Sequence, residues 1–175
     1  MTDHEDLRAG LRRKAGEILG LLSPPEREAL LIKNWMSHDA RWFMEVANRL
    51  NQTAAHEVGK AEAQRLARAL GLPPAASLDD YLLAQEVFIS LLGPDLLHYD
   101  LTKVGDNAFR VEVQRCFAHD NAARAGISDT FECGIFARLT GWLDALGLAY
   151  ELNPPLGKCL KAQGRECRYT ITLVI

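Results

Sequence analysis

Residues 98–114 read HYDLTKVGDNAFRVEVQ, and apolar and polar side chains alternate in this stretch on both sides of a central turn. The turn falls at Gly105, Asp106 and Asn107, residue types that favour a reversal of the chain. The apolar members of the alternation are Tyr99, Leu101, Phe109, Val111 and Val113. A period of two interrupted by such a turn predicts an antiparallel hairpin.

The sequence before this hairpin has helical spacing. Apolar residues recur every three or four positions over 7–22, and Pro24 stands where a second helix can begin. The second pattern extends to about residue 50. A break is expected inside it at His38-Asp39, because an aspartate can cap a new helix at Asp39.

Two further helices are predicted before the hairpin. One covers 53–70, and the other begins at Ser77, where Asp80 three residues later completes a capping box, and ends at Gly93-Pro94. After the hairpin, Ser128 is expected to cap a helix that ends at Gly147. A short strand is predicted at 149–152, and a second hairpin with strands at 158–162 and 166–174 around a turn at Gln163-Gly164.

These patterns predict an α+β protein. Residues 1–96 form a helical half, and residues 97–175 form an antiparallel sheet with a helix and contain all four cysteines. We expect the two regions to pack into one compact unit.

Composition excludes several classes of protein. The chain has 175 residues, 48% of them hydrophobic, and a formal net charge of −3, so no basic face for nucleic acid is expected. No apolar run is long enough to span a membrane, and the first residues lack the pattern of a signal peptide, so a cytoplasmic location is expected. In a reducing compartment the cysteines are core residues, metal ligands or reactive thiols rather than a disulfide framework.

The cysteines carry the first candidate site. Cys159 and Cys167 are equidistant from Gln163 in the second predicted hairpin, so they would face each other and could share a zinc ion. Cys133 falls in the first turn of the predicted helix, where a thiolate is stabilised. Cys116 or His119 could complete the ligand set. Inert buried cysteines and a redox disulfide are the alternatives, and an iron ion or iron–sulfur cluster would also suit such ligands.

A second candidate site lies in the N-terminal half. His38 or Asp39 could act as a general base beside an aromatic wall of Trp35 and Trp42, because small-ligand sites commonly combine aromatic side chains with few polar groups. The alternative is a capping Asp39 with tryptophans in the core. The sequence contains no GxGxxG, phosphate-loop, HExxH or nucleophile-elbow motif.

The segment 131–170 resembles the C-terminal part of the 4-vinyl reductase domain, a small-molecule-binding domain. The resemblance rests on CGIF at 133–136, GW at 141–142 and CLKAQGRECRY at 159–169. It implies a structural zinc held by three cysteines and a glutamate, with Cys133, Cys159 and Cys167 at the cysteine positions. Leu156 stands at the glutamate position and cannot ligate, so Cys116, His119, Glu151 or water would have to substitute.

Residues 35–173 are also similar to the L-2-amino-thiazoline-4-carboxylic acid hydrolase-like family. The shared motifs are WMSHDARW at 35–42, FRVEVQRC at 109–116, Cys133, Asn153-Pro154 and GRECRY at 164–169. This resemblance implies hydrolysis of a C–N bond in a thiazoline ring.

Two functions follow as hypotheses. The first is a small-molecule-binding protein with a mainly structural zinc site, whose ligand lies between the helical half and the sheet. The second is a hydrolase that uses a metal-activated water, or Cys116 as nucleophile with His119 as base. The ligand pocket is expected to include Trp35, Trp42, Arg115 and Trp142. A homodimer is left open by the sequence.

Overall fold

The structure is a computed structural model that describes residues 3–46, 52–92, 97–124 and 126–174. Its helices are α1 (Asp3–Gly20), α2 (Pro24–Val46), α3 (Gln52–Leu70), α4 (Leu78–Leu92), α5 (Phe117–Arg124) and α6 (Gly134–Ala145). Its strands are β1 (Leu97–Gly105), β2 (Ala108–Cys116), β3 (Ala149–Asn153) and β4 (Cys167–Val174). Single 3-10 turns lie at Ser128–Thr130 and Lys161–Gln163. The predicted α+β class is confirmed.

Local sequence accounts for the starts and ends of several helices. Before α2, the side chain of Glu26 accepts hydrogen bonds from the backbone and hydroxyl of Ser23, at 2.8 and 2.6 Å. The capping box predicted before α4 is confirmed, since the Asp80 amide donates to the Ser77 hydroxyl at 3.2 Å. Gly147, with a φ of 76°, follows α6 in the left-handed region, where glycine is favoured.

The break expected at His38-Asp39 is wrong. Helix α2 runs without interruption from Pro24 to Val46. After Pro25 the helix contains neither glycine nor proline, and an aspartate inside a helix costs only about 0.7 kcal/mol relative to alanine. A potential N-cap residue is therefore insufficient to divide a long helical segment. The predicted helix end at Gly93-Pro94 lies outside the described residues.

The four described strands form one antiparallel sheet in the order β1-β2-β4-β3. The first predicted hairpin is confirmed: β1 and β2 pair on either side of the turn, with Leu101 opposite Val111. Strand β3 confirms the short strand predicted at 149–152.

The second predicted hairpin is wrong. Residues 158–162 form no strand; Lys158 makes one isolated bridge with Glu132, and a 3-10 turn follows. Strand β4 instead lies between β2 and β3, and Cys167 is opposite Val113. The segment 158–162 contains no β-branched residue, whereas β2 and β3 offer β4 extended partners on both edges. Cys159 and Cys167 are therefore not cross-strand partners.

The predicted helix from Ser128 starts later than expected. Ser128 opens only a single 3-10 turn, and α6 begins at Gly134 with Cys133 as its N-cap residue. The intervening chain is held extended by the bridge between Glu132 and Lys158. This displacement places Cys133 at the helix boundary.

The helical half and the sheet half share one hydrophobic core. Helix α3 packs directly on α6, and two glycines allow the close approach. A Cβ atom at Gly59 would overlap the carbonyl of Arg138, and one at Gly141 would overlap the carbonyl of His56. The largest fully buried aromatic side chains come from α4, β2, α6 and β4: Tyr81, Phe88, Phe109, Phe136 and Tyr169.

Candidate functional site

Two of the cysteines lie immediately before helices. Cys116 ends β2 directly before α5, and the backbone amides of His119 and Ala118 lie beside its thiol. Cys133 is the N-cap residue of α6, and the amides of Phe136 and Ile135 lie beside its thiol in the same way. Free amides at a helix start stabilise negative charge, so these amides on their own lower the pKa of both thiols.

The other two cysteines come from the C-terminal segment. The amide of Cys159 donates to the carbonyl of Phe131 at 2.9 Å, and the amide of Cys133 donates to Gly157 at 3.0 Å. These two bonds flank the bridge between Glu132 and Lys158, so Cys133 and Cys159 lie diagonally on the same face of the short ribbon. Cys167 is the first residue of β4.

The four side chains form one cluster. All four are buried free thiols. Each pair among them is close enough to interact electrostatically, including Cys159 with Cys167. Cys159 and Cys167 thus interact electrostatically without being cross-strand partners, and a metal ion shared between them stays a prediction.

Burial dominates the acidity of the thiols. It raises the pKa of Cys116 above its ordinary value, that of Cys133 to about 11 and that of Cys167 to about 12. Neighbouring cysteines add to these shifts, and the helix amides at Cys116 and Cys133 oppose them. Without a positive ion nearby, Cys133 and Cys167 are neutral thiols at pH 7.

Tyr169 closes one side of the cluster. Its ring packs on Phe136 with 3.9 Å between ring centroids. Its hydroxyl lies beside the thiol of Cys133. Burial, together with the adjacent thiols of Cys133 and Cys167, raises the pKa of Tyr169 above its ordinary value. The cluster therefore has an aromatic wall that carries one hydroxyl group.

The donor set suits a soft metal ion, because zinc and iron prefer sulfur ligands. The present arrangement is not a ready-made coordination sphere: the described residues include no group of three or more His, Cys, Asp or Glu side chains that could hold a metal ion as placed. Leu156, at the position of the expected glutamate, is half-buried and packs against the hydrophobic core. Cys116 supplies a fourth thiol to the cluster in its place.

The other predicted site residues near the cluster have different surroundings. The His119 imidazole lies 3.2 Å from the carboxylate of Asp120 through Nδ1. The Arg115 side chain is 62% exposed, and its Nε lies 3.9 Å from the Asp120 carboxylate. Trp142, on α6, is buried, and its Nε1 donates a hydrogen bond to the Glu62 carboxylate at 3.0 Å. A ligand pocket that includes Arg115 and Trp142 therefore stays a prediction.

The second candidate site lies on α2. Trp35 is 43% exposed, so it is not a fully buried core residue. The side chains of His38, Asp39 and Trp42 lie outside the described residues. The predicted base beside an aromatic wall therefore stays a prediction.

A buried carboxylate was not predicted. Glu62 on α3 is 2% exposed and accepts two hydrogen bonds from Arg138, both of 2.6 Å. Asn34 and Trp142 donate to the same carboxylate at 3.0 Å each. The residues join α2, α3 and α6 and position α6, which begins beside Cys133. A glutamate within a helical pattern is typical of a solvated face, and nothing near it in the sequence signals burial.

A cleft lined mainly by α1 and α4 was also not predicted. It has a volume of about 560 Å³ and lies between α1, α4 and the end of β1. Its lining combines leucines with charged side chains: Leu7, Gly10, Leu11, Arg13, Lys14, Asp79, Asp80, Leu83 and Lys103.

Comparisons of the chain with protein-family models, with curated proteins and with solved structures gave no match. Both family resemblances therefore stay predictions from the quoted motifs. Within the described ranges, no helix combines the length and the apolar character needed to cross a bilayer.

Proposed function

We propose that this chain is a cytoplasmic small-molecule-binding protein of the 4-vinyl-reductase-like type whose four cysteines hold a structural zinc ion. The observation that carries the metal proposal is the cluster itself: four buried thiols from four separate segments, each of which interacts electrostatically with the other three. Buried thiols scattered through a core would have no reason to converge on two helix starts. A bound cation would favour the thiolate forms that burial disfavours.

The structural role is supported by the number of thiols. Structural zinc sites commonly have four protein ligands, whereas catalytic sites keep one position open for water or substrate. Leu156 removes the glutamate expected from the resemblance, but Cys116 brings the number of candidate sulfur ligands back to four. The ion would then join the end of β2, the start of α6, the segment at Cys159 and the start of β4. An iron ion or iron–sulfur cluster is the alternative occupant for the same donors.

The hydrolase alternative has less support in its nucleophile form. Burial raises the pKa of Cys116, which lowers the fraction of reactive thiolate. The form that uses a metal-activated water requires an open coordination position, which a set of four thiols does not leave.

The test is whether stability and metal content change together. Cys159→Ser and Cys167→Ser should each lower the melting temperature of zinc-loaded protein and remove its increase on addition of zinc. Val113→Thr is the matched control, because Val113 is buried opposite Cys167 and the change adds a hydroxyl without removing a thiol. It should leave the response to zinc intact. Cysteine variants that keep the wild-type melting temperature would contradict the structural role.

A further inference from the structure

The cleft between α1, α4 and β1 is separate from the cysteine cluster, and its charges are unevenly paired. Asp79 forms an ion pair with Lys103. Asp80 accepts hydrogen bonds from the Ser77 hydroxyl at 2.8 Å and from the Ala76 amide at 3.0 Å, so it is occupied by the cap of α4. Both carboxylates of the cleft are therefore already engaged within the protein.

The other two charged side chains that line the cleft are the cations of Arg13 and Lys14. Arg13 and Lys14 are exposed on α1, and no hydrogen bond or ion pair among the described residues engages either of them. With Lys103 paired to Asp79 and Asp80 still negatively charged, Arg13 and Lys14 leave the lining of the cleft with a net charge of +1. The net charge of the whole chain is −3, so this excess is local and runs against the overall balance.

The remaining lining is apolar. Leu11 is buried, and Leu7 and Leu83 are half-buried, so together they give the cleft an apolar surface beside the cations. A volume of about 560 Å³ lies within the range of roughly 300–1,000 Å³ typical of small-molecule sites.

Gly10 keeps part of this space open. It lies inside α1, where glycine disfavours the helix, yet a Cβ atom added to it would meet no other atom within 4 Å. No neighbouring element of the described protein therefore requires a glycine here. Its lack of a side chain leaves room in the cleft that it lines.

We propose that this cleft binds a small amphiphilic anion, a molecule with a short apolar body and one carboxylate or phosphate group. The apolar body would contact the leucines, and the anionic group would pair with Arg13 and Lys14. This inference rests on the ligand-binding part of the proposed function and names its site and ligand class. It does not depend on the metal.

Octanoate and octyl phosphate are the probes, measured by isothermal titration calorimetry on the full-length protein. We expect saturable binding in the high-micromolar to millimolar range, as suits ligands of this size. Octanamide, which keeps the apolar body without the charge, should bind at least about tenfold more weakly. The stronger of the two anions identifies the head group.

Variants locate the site. Gly10→Leu fills the cleft while improving helix propensity, so it should raise the melting temperature and weaken octanoate binding at least about tenfold. Gly16→Leu is the matched control: Gly16 lies on the same helix, its added Cβ atom also meets nothing within 4 Å, and it does not line the cleft. It should raise the melting temperature and leave binding unchanged.

A second pair of variants tests the charge. Arg13→Ala combined with Lys14→Ala should weaken octanoate binding about tenfold. Arg68→Ala combined with Lys158→Ala changes the net charge equally at exposed positions outside the cleft and should leave binding unchanged.

The outcomes separate this inference from the proposed function. Binding that survives Gly10→Leu would overturn the cleft as the site and leave the ligand-binding function in place. Equal binding of octanamide and octanoate, or no binding of either anion at about 10 mM, would overturn the ligand class. The zinc response of the cysteine variants tests the metal part independently.

Discussion

Replacing Glu62 by glutamine tests how the helical half is attached to α6. The change keeps the shape of the side chain and removes its charge. Glu62 Oε2 accepts hydrogen bonds from Arg138 Nε at 2.6 Å and from Trp142 Nε1 at 3.0 Å. Glu62 Oε1 accepts from Arg138 Nη2 at 2.6 Å and from Asn34 Nδ2 at 3.0 Å. Both oxygens are thus used twice, in a side chain that is 2% exposed.

The expected cost follows from this geometry. In either orientation of the new amide, its NH₂ group faces two hydrogen-bond donors in place of an acceptor. The Arg138 side chain, 17% exposed, also loses the carboxylate that pairs with it among the described residues. Removing one member of a buried ion pair costs about 3–5 kcal/mol, because the other charge stays buried without compensation. We expect Glu62→Gln to lower the free energy of unfolding by that amount.

Urea denaturation monitored by tryptophan fluorescence gives this free energy directly. Glu57→Gln is the matched control, since Glu57 lies on the same helix with a side chain that is 59% exposed, and it should change stability by less than about 0.5 kcal/mol. If Glu62→Gln falls within about 1 kcal/mol of wild type, the network does not hold α3 against α6.

Three further predictions concern other contacts. Gly141→Ala should destabilise the protein by about 1–3 kcal/mol in urea denaturation, because its Cβ atom would overlap the His56 carbonyl; an unchanged midpoint would contradict the close packing. The Ser77 hydrogen bond lowers the pKa of Asp80, so the ionised carboxylate of this cap stabilises the folded protein at neutral pH. This contribution is lost as the pH falls through the folded-state pKa of Asp80, which lies below 3.8. Melting curves of Asp80→Asn should therefore differ from those of wild type at pH 7 and converge with them at about pH 2. Burial raises the pKa of Cys133 from 9.0 to about 11. In metal-free folded protein, its alkylation at pH 7, followed by mass spectrometry, should therefore be at least about a hundredfold slower than in the unfolded chain. Equal alkylation rates would show that the Cys133 thiol is not buried.

The sequence predicted the parts of the fold that depend on local pattern. Strands β1 and β2 were found because apolar residues alternate around an unambiguous turn, and α3 and α4 were found because their spacing and capping residues agree. The prediction of the second hairpin was wrong because symmetry about Gln163 does not determine which strands pair with β4. In the folded protein, β4 has two better partners that are distant in sequence.

The candidate site was predictable in composition and not in geometry. Four cysteines in the C-terminal half suggested a cluster, and the structure brings them together through two helix starts rather than one hairpin. The burial of Glu62 and the charge of the cleft near Gly10 depend on contacts between segments far apart in the chain. No local pattern encodes such contacts, so neither was visible in the sequence.

Metal stoichiometry is the most direct test of the cysteine cluster. Elemental analysis should be made on protein purified anaerobically without an affinity tag, comparing wild type with Cys159→Ser and with the Val113→Thr control. We predict about one equivalent of zinc in wild type and control and a loss of that metal in Cys159→Ser. Absence of metal from all three proteins, after zinc has been supplied, would contradict the proposal and identify the four cysteines as buried core thiols.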